Sequence, residues 1–227
     1  EISSEFVLFG LGLIHATAQP FHIHEWELSM FSQLRLQVEL MMLVFGGFFK
    51  AAIVPVHIWV PSTCQSAPSD ATAIMSIVPR IAALILLLRI VQTDVLPLWM
   101  IQVSLGLVSL TIVFGTLGAL KQSSVRRMIS FGAIAHSGFM LPFVFMNSDT
   151  ALESFWWYSC VYAFMNLATF YIIESYEKKG MYDWQDYSKA SNEIGVGVSM
   201  TIIMVSLIGL PPLSGFTAKF MLFSSLW

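Results

Sequence analysis

Hydrophobic residues in this chain fall in long continuous blocks, without the polar stripe of a soluble amphipathic helix. A helix needs about 20 mainly apolar residues to cross a bilayer. The pattern predicts the end of a span at 6–18 and full spans at 36–60, 67–91, 96–120, 125–146 and 151–176. A last block, 194–227, is interrupted by glycine and proline and predicts a broken helix. The fold class is therefore all-α, a polytopic transmembrane helix bundle.

Composition agrees with this fold class. The chain has 227 residues, of which 56% are hydrophobic and 11% are charged, whereas soluble domains carry about 25% charged residues. The apolar blocks do not alternate as β-barrel strands would. Nothing in the pattern indicates nucleic-acid binding. The two cysteines, Cys64 and Cys160, predict neither a disulfide framework nor a metal site and are interpreted as small apolar fillers.

Loop charges predict the orientation of the bundle. Basic residues cluster in two loops that are two crossings apart, at 121–127 and 178–189. These loops share one face, which the positive-inside rule assigns to the cytoplasm. The opposite loops carry Asp94, Asp149 and Glu153 without lysine or arginine. Glu39 and Glu174 lie near span ends and are interpreted as interfacial.

Lys50 is the first charge predicted at membrane depth, where a charged side chain costs about 2.5–3.5 kcal/mol on insertion scales. It lies in GGFFKAAIVPVHIWVP. Pro55 and Pro61 have no N–H and free the carbonyls four residues earlier, which predicts a break just after Lys50. A lysine beside freed carbonyls and water can exchange protons, and the alternative is a lysine that reaches an interface. His57 is a candidate proton carrier toward the cytoplasm or else a packing residue.

Lys219 repeats this pattern in GLPPLSGFTAKF. Pro211 and Pro212 free carbonyls, and Gly209 and Gly215 loosen the same stretch. The prolines precede this lysine but follow the first one, on helices expected to run in opposite directions. This order is typical of an inverted-topology repeat, whose paired broken helices indicate a transport site. The alternative is a coincidence of two proline-kinked helices.

Two further ionisable residues are predicted inside the bundle. Arg80 follows Pro79, which also frees a carbonyl and is a third candidate helix break. A guanidinium stays protonated and cannot relay a proton. Arg80 is therefore either a fixed cation that tunes a neighbouring lysine or a structural arginine bonded to freed carbonyls. His136 lies midway along its span and is either part of a proton path or an interhelical hydrogen-bonding residue.

Three segments then resemble one family. They are FKAAIVPVHIWVPSTCQSAPSDATA at 49–73, ALKQSSVRRMISFGAIAHSGF at 119–139 and GLPPLSGFTAKFMLF at 209–223. Their residue patterns, order and spacing resemble those of the antiporter-like, proton-translocating membrane subunits of respiratory complex I. The resemblance is closest to the N-type subunit, with the D-type subunit of multisubunit sodium/proton antiporters next. It covers essentially the whole chain.

The resemblance implies a fourteen-helix fold with two inverted five-helix repeats. Residues 1–18 would end one helix, 36–120 would hold the end of the first repeat and the first helix of the second, and 121–227 would hold the remainder, truncated in its broken helix. Lys50 and Lys219 match the family's central lysines, whereas Arg80 stands where a lysine is usual. Ser62 replaces the family's aspartate, and the glutamate that pairs with the first lysine would lie before Glu1.

The implied function is proton translocation in the membrane arm of a complex I-type NAD(P)H/ferredoxin:quinone oxidoreductase. This translocase subunit would perform no redox chemistry and hold no cofactor or metal, while NADH, FMN, iron–sulfur clusters and quinone would bind other subunits. Its partners would be an M-like antiporter subunit, the small K/J-type subunits and lipids. Its location would be an energy-transducing membrane, in bacteria the inner membrane. The alternatives are a sodium/proton antiporter subunit and a non-conducting scaffold.

Overall fold

The computed structural model describes residues 2–18, 34–93, 96–146, 148–189 and 194–225, which are mainly helical. In chain order the helices are α1 (Ile2–Ala18), α2 (Leu34–Ala51), α3 (Trp59–Ser66), α4 (Ser69–Val91), α5 (Leu98–Leu120), α6 (Val125–Phe145), α7 (Asp149–Glu177), α8 (Trp184–Lys189), α9 (Ile194–Ile208) and α10 (Ser214–Ser225). The predicted helix bundle is confirmed. Asp94, one of the loop charges used for orientation, lies outside the described residues.

Three of the described helices, α4, α5 and α6, are long and apolar enough to cross a membrane by length and composition. They correspond to the blocks predicted at 67–91, 96–120 and 125–146. Much of α5 is exposed and apolar, with Leu98, Val103 and Phe114 among its exposed side chains. An apolar exposed face is what a helix that faces lipid or another membrane subunit requires.

Glycines bring neighbouring helices into close antiparallel contact. A Cβ at Gly115 of α5 would lie 2.6 Å from the backbone nitrogen of Ala135 in α6. A Cβ at Gly138 of α6 would lie 2.8 Å from Ile112 of α5. Small residues permit such close packing in membranes, where the hydrophobic effect does not press helices together. As a result α6 is held firmly against α5, and it also packs on α3, α4 and α7.

The end of α2 is a Schellman motif. Ala52 adopts a left-handed conformation, with φ 61°. Its N–H bonds the carbonyl of Phe49 at 3.2 Å, and the next N–H, of Ile53, bonds Phe48 at 2.9 Å. These two bonds satisfy carbonyls that a helix end would otherwise leave unpaired. Helix α2 therefore ends one residue after Lys50, and the turns of 52–58 separate it from α3.

Helix α9 ends in the same way. Gly209 has φ 87°. Its N–H bonds Ser206 at 3.0 Å, and the N–H of Leu210 bonds Val205 at 3.3 Å. The left-handed position costs glycine nothing, since it has no Cβ. That α2 with α3, and α9 with α10, each form one discontinuous transmembrane helix of an inverted repeat stays a prediction.

Three of the predicted helix-breaking residues do not break a helix. Pro61 lies in the first turn of α3, where the missing N–H would have had no helical partner. Helix α4 continues through Pro79 without interruption. Gly215 lies in the first turn of α10 and serves a close contact with α9. Pro55, by contrast, lies between α2 and α3, and the 209–213 turn holds the other two prolines.

Arg126 is not simply a loop charge that sets orientation. Its guanidinium donates to the carbonyl of Ala67, donates to the hydroxyl of Ser69 at 2.6 Å, and pairs with the carboxylate of Glu177. The two charged side chains are only 12% and 17% exposed. Arg126 thus ties the start of α6 to the end of α7 and to the α3–α4 connection.

Candidate functional site

Lys50 lies in the last turn of α2 and faces a small cavity of about 10 Å³. This "Lys50 cavity" is lined, among others, by Lys50, Trp59, Thr63, Thr72, Ser76 and Arg80, and its remaining lining is apolar. Its volume is close to the minimum that holds one water molecule. Within the residues that the structure describes, no group hydrogen-bonds the Lys50 ammonium. Lys50 therefore shares this cavity with threonine and serine hydroxyls and with the guanidinium of Arg80.

The break after α2 is held by specific hydrogen bonds. The N–H of Val54 donates to the hydroxyl of Thr111 on α5 at 3.1 Å, in a buried position. The indole N–H of Trp59 donates to the carbonyl of Phe49 at 3.1 Å, and their rings stack with centroids 5.8 Å apart. His57 lies in the same turn, but its ring contacts Phe114 of α5 and does not line the Lys50 cavity. The structure does not bring His57 to Lys50.

Arg80 is buried, with 2% exposure, and is held by α7. Its Nη1 donates to the hydroxyl of Tyr162 at 2.6 Å. The amide nitrogen of Asn166 donates to the same hydroxyl at 2.8 Å and to the hydroxyl of Ser76 at 3.1 Å. The predicted alternative of an arginine bonded to freed carbonyls does not describe this geometry, since a tyrosine hydroxyl is the acceptor. Arg80 remains a fixed cation beside the Lys50 cavity.

His136 lies on the far side of this cluster. Its Nδ1 is 2.8 Å from the hydroxyl of Tyr158, and its ring centroid is 5.3 Å from that of Tyr162. The sequence reasoning did not select either tyrosine. Tyr158, Tyr162 and Asn166 are spaced four residues apart, so they form one polar stripe on α7. This four-residue spacing in the sequence was the pattern that could have identified them as one polar helix face.

Lys219 reaches from α10 to the end of α9. Its ammonium donates to the carbonyls of Leu207 at 3.2 Å and Ile208 at 2.9 Å. These are the carbonyls that Pro211 and Pro212 deprive of helical partners. The ammonium also lies 4.7 Å from the ring centroid of Phe139, a cation–π distance.

A larger cavity, of about 450 Å³, adjoins Lys219. This "Lys219 cavity" is lined, among others, by His136, Phe139, Tyr162, Asn166, Leu207 and Lys219. Arg80 lines the Lys50 cavity and bonds Tyr162, which lines the Lys219 cavity. The polar groups therefore form one file through the apolar bundle: Lys50, Arg80, Tyr162, His136 and Lys219. Ionisable groups in such a position are costly, which makes this file the candidate functional site.

Carboxylates near this file are few in the described part of the chain. Glu39 was interpreted as interfacial, yet its side chain is buried in the bundle at 1% exposure. Glu174, at the end of α7, pairs with Lys178 in the next turn. Within the ranges described, no three His, Cys, Asp or Glu residues cluster closely enough to hold a metal ion.

The helices and the polar file together define a polytopic membrane protein with ionisable side chains inside its bundle. A family model described as NADH:quinone oxidoreductase/Mrp antiporter, transmembrane, matches residues 1–227. The chain belongs to this family of antiporter-like membrane subunits, so the resemblance drawn from the three sequence segments is confirmed.

Individual relatives agree with the family model. NADH-quinone oxidoreductase subunit N of Chloroflexus aggregans is 33% identical over 82% of this chain and 39% of its own length. Subunit N 2 of Chloroherpeton thalassium is 31% identical over 100% of this chain and 47% of its own length. The chain thus spans about half or less of the length of these curated relatives.

Solved structures share the fold. A chain of the Mrp complex from Dietzia sp. DQ12-45-1b superposes with a TM-score of 0.85 at 25% identity, over 99% of this chain and 42% of that one. A chain of respiratory complex I from Thermus thermophilus superposes with a TM-score of 0.78 at 25% identity, over 99% of this chain and 49% of that one. The fold is therefore that of the antiporter-like subunits of both assemblies.

Proposed function

We propose that this chain is a proton-translocating membrane-arm subunit of a complex I-type oxidoreductase, in which Lys50 and Lys219 alternate between charged and neutral states. The observation that carries the proposal is the file of polar groups between the two lysines, because a scaffold would have no need to place two lysines, an arginine and a histidine in one line inside an apolar bundle. The names of the relatives, subunits of NADH-quinone oxidoreductase, support the same assembly.

The proposal extends to the rest of the assembly. Redox chemistry, with NADH, FMN, iron–sulfur clusters and quinone, belongs to other subunits, so this chain contributes to an enzyme without carrying its redox centres. Its neighbours are an M-like antiporter subunit, small K/J-type subunits and lipids, in the inner membrane of a bacterium. Lysine suits this task because its ammonium can lose a proton when the surroundings disfavour charge, which arginine cannot do.

The test replaces Lys50 by glutamine in the assembled complex, reconstituted into liposomes. Lys50→Gln keeps a polar side chain of similar length but cannot titrate. We expect fewer protons pumped per NADH oxidised. The matched control is Lys121→Gln, an exposed lysine just after α5, which should pump as the parent does. An unchanged ratio in a fully assembled Lys50→Gln complex would remove the proton-carrying role.

A second candidate function, a subunit of a multisubunit sodium/proton antiporter, is favoured by the superposition on the Mrp complex. The same vesicles separate the two. Proton movement that follows an imposed sodium gradient without NADH and quinone would favour the antiporter. Movement that requires redox turnover would favour the complex I-type assembly.

A further inference from the structure

The hydrogen bonds around Arg80 all run in one direction, toward the hydroxyl of Tyr162 and the hydroxyl of Ser76. The hydroxyl of Ser76 donates its one hydrogen to the carbonyl of Ala73 at 2.9 Å. It accepts from the amide nitrogen of Asn166, 3.1 Å away. The same nitrogen lies 2.8 Å from the hydroxyl of Tyr162. Asn166 is thus a donor toward both hydroxyls.

Tyr162 has no acceptor capacity left. Its hydroxyl accepts from Arg80 at 2.6 Å and from Asn166 at 2.8 Å, which uses both lone pairs. Its own hydrogen points to the backbone carbonyl of Ser76, 3.4 Å away. A hydroxyl passes a proton on by accepting one and releasing its own. Here neither donor gives up its proton, since an arginine guanidinium is not deprotonated in proteins and an amide does not titrate.

The charge of Arg80 also opposes proton transfer through the Tyr162 hydroxyl. The guanidinium is 2% exposed and lies where the Lys50 cavity meets the residues that line the Lys219 cavity. A permanent positive charge in a medium of low dielectric repels an excess proton approaching from either side. Membrane pores that exclude protons use a fixed arginine in the same way.

We propose that Arg80, Tyr162, Asn166 and Ser76 form a proton barrier between the Lys50 cavity and the Lys219 cavity. The inference rests on the proposed function, because it assumes that both lysines titrate. The barrier lets the lysines influence each other by charge while it prevents a proton from passing directly between them. A translocating subunit with such a barrier holds a proton gradient at rest.

The experiment measures the passive proton leak of the resting assembled complex in liposomes, from the decay of an imposed pH gradient without NADH. Arg80→Lys replaces the permanent cation with one that titrates. Tyr162→Phe deletes the saturated hydroxyl at nearly constant volume, so it remains informative if the arginine variant does not assemble. Tyr176→Phe is the matched control, a buried tyrosine on the same helix, packed against Tyr187 away from Arg80.

We expect a severalfold faster leak in Arg80→Lys and in Tyr162→Phe and the parent rate in Tyr176→Phe. Adding Lys50→Gln to either leaky variant should return the leak to the parent rate, because the leak then lacks its carrier. A parent-like leak in assembled Arg80→Lys and Tyr162→Phe would overturn the barrier, and so would a leak that persists without Lys50, since that indicates general loosening. Normal pumping by Lys50→Gln alone would instead overturn the proposed function.

Discussion

Gly215→Ala is the perturbation whose consequence the structure defines most sharply. A Cβ at this position would lie 1.7 Å from the carbonyl oxygen of Ser206, at the end of α9, and 2.7 Å from its carbon. A carbon–oxygen contact needs about 3.3 Å, so α9 and α10 must separate by roughly 1.6 Å to admit the methyl group. Both clashing groups are backbone or Cβ, and no side-chain rotation relieves them.

The separation acts on the site because Lys219 follows one turn later on the same helix. Its bonds to Leu207 and Ile208, at 3.2 and 2.9 Å, would both stretch beyond the hydrogen-bonding limit of about 3.5 Å. Overpacking of this kind typically costs about 1–3 kcal/mol, so we expect less assembled complex and a lower proton-to-NADH ratio in the fraction that assembles.

The assay compares pumping per assembled complex in liposomes, with assembly measured separately on native gels. Gly197→Ala is the matched control, since this α9 glycine has nothing within 4 Å of an added Cβ. It should assemble and pump as the parent does. Parent-like assembly and pumping in Gly215→Ala would refute the reasoning, because the Lys219 contacts would then be irrelevant to translocation or able to re-form.

Two further predictions concern stability, measured as the thermal midpoint of the assembled complex. Glu177→Gln breaks a mostly buried ion pair and should lower stability by about 2 kcal/mol, below the range for fully buried pairs because both partners retain some exposure. Glu174→Gln breaks a pair whose lysine, Lys178, is 74% exposed, so it should change stability little, and equal effects would contradict the assignment. Thr111→Val leaves a buried backbone N–H without its acceptor and should cost about 1–3 kcal/mol. Thr116→Val, an exposed threonine of the same helix, should be nearly neutral, and an equally mild Thr111→Val would show that the bond is dispensable.

The features that the sequence predicts well are those with local causes. The block predicted at 125–146 corresponds to α6, Val125–Phe145. Its apolar residues and its flanking turns are both determined by residues that are close in sequence. Helix α2 ends at Ala51, four residues before Pro55, although the discontinuous helix expected from this proline stays a prediction. The local rule also misleads, since Pro79 frees a carbonyl by the same argument, yet α4 continues through it. The tertiary contacts of α4 with α2, α6 and α7 outweigh one missing hydrogen bond.

The contacts that complete the site have no local cause. Arg80 and Tyr162 are separated by 82 residues, and Arg126 and Glu177 by 51. Periodicity can identify the polar stripe on α7, but it cannot tell which helix that stripe faces. The contact of His57 could not be predicted for the same reason. A side chain in a turn points where the neighbouring helix leaves room, and here the His57 ring lies against Phe114.

The two lysines, equivalent in their sequence pattern, are attached to the fold differently. Each is associated with the carboxyl end of a helix that terminates in a Schellman motif, where a cation is favoured. Lys50 belongs to that helix and bonds no described group, so a change in its charge breaks no bond within the described part of the chain. Lys219 comes from the following helix and holds α10 to α9 through two carbonyls. Loss of its proton weakens both bonds, so we expect a conformational response to charge to arise at the α9–α10 break, where the Gly215→Ala experiment acts.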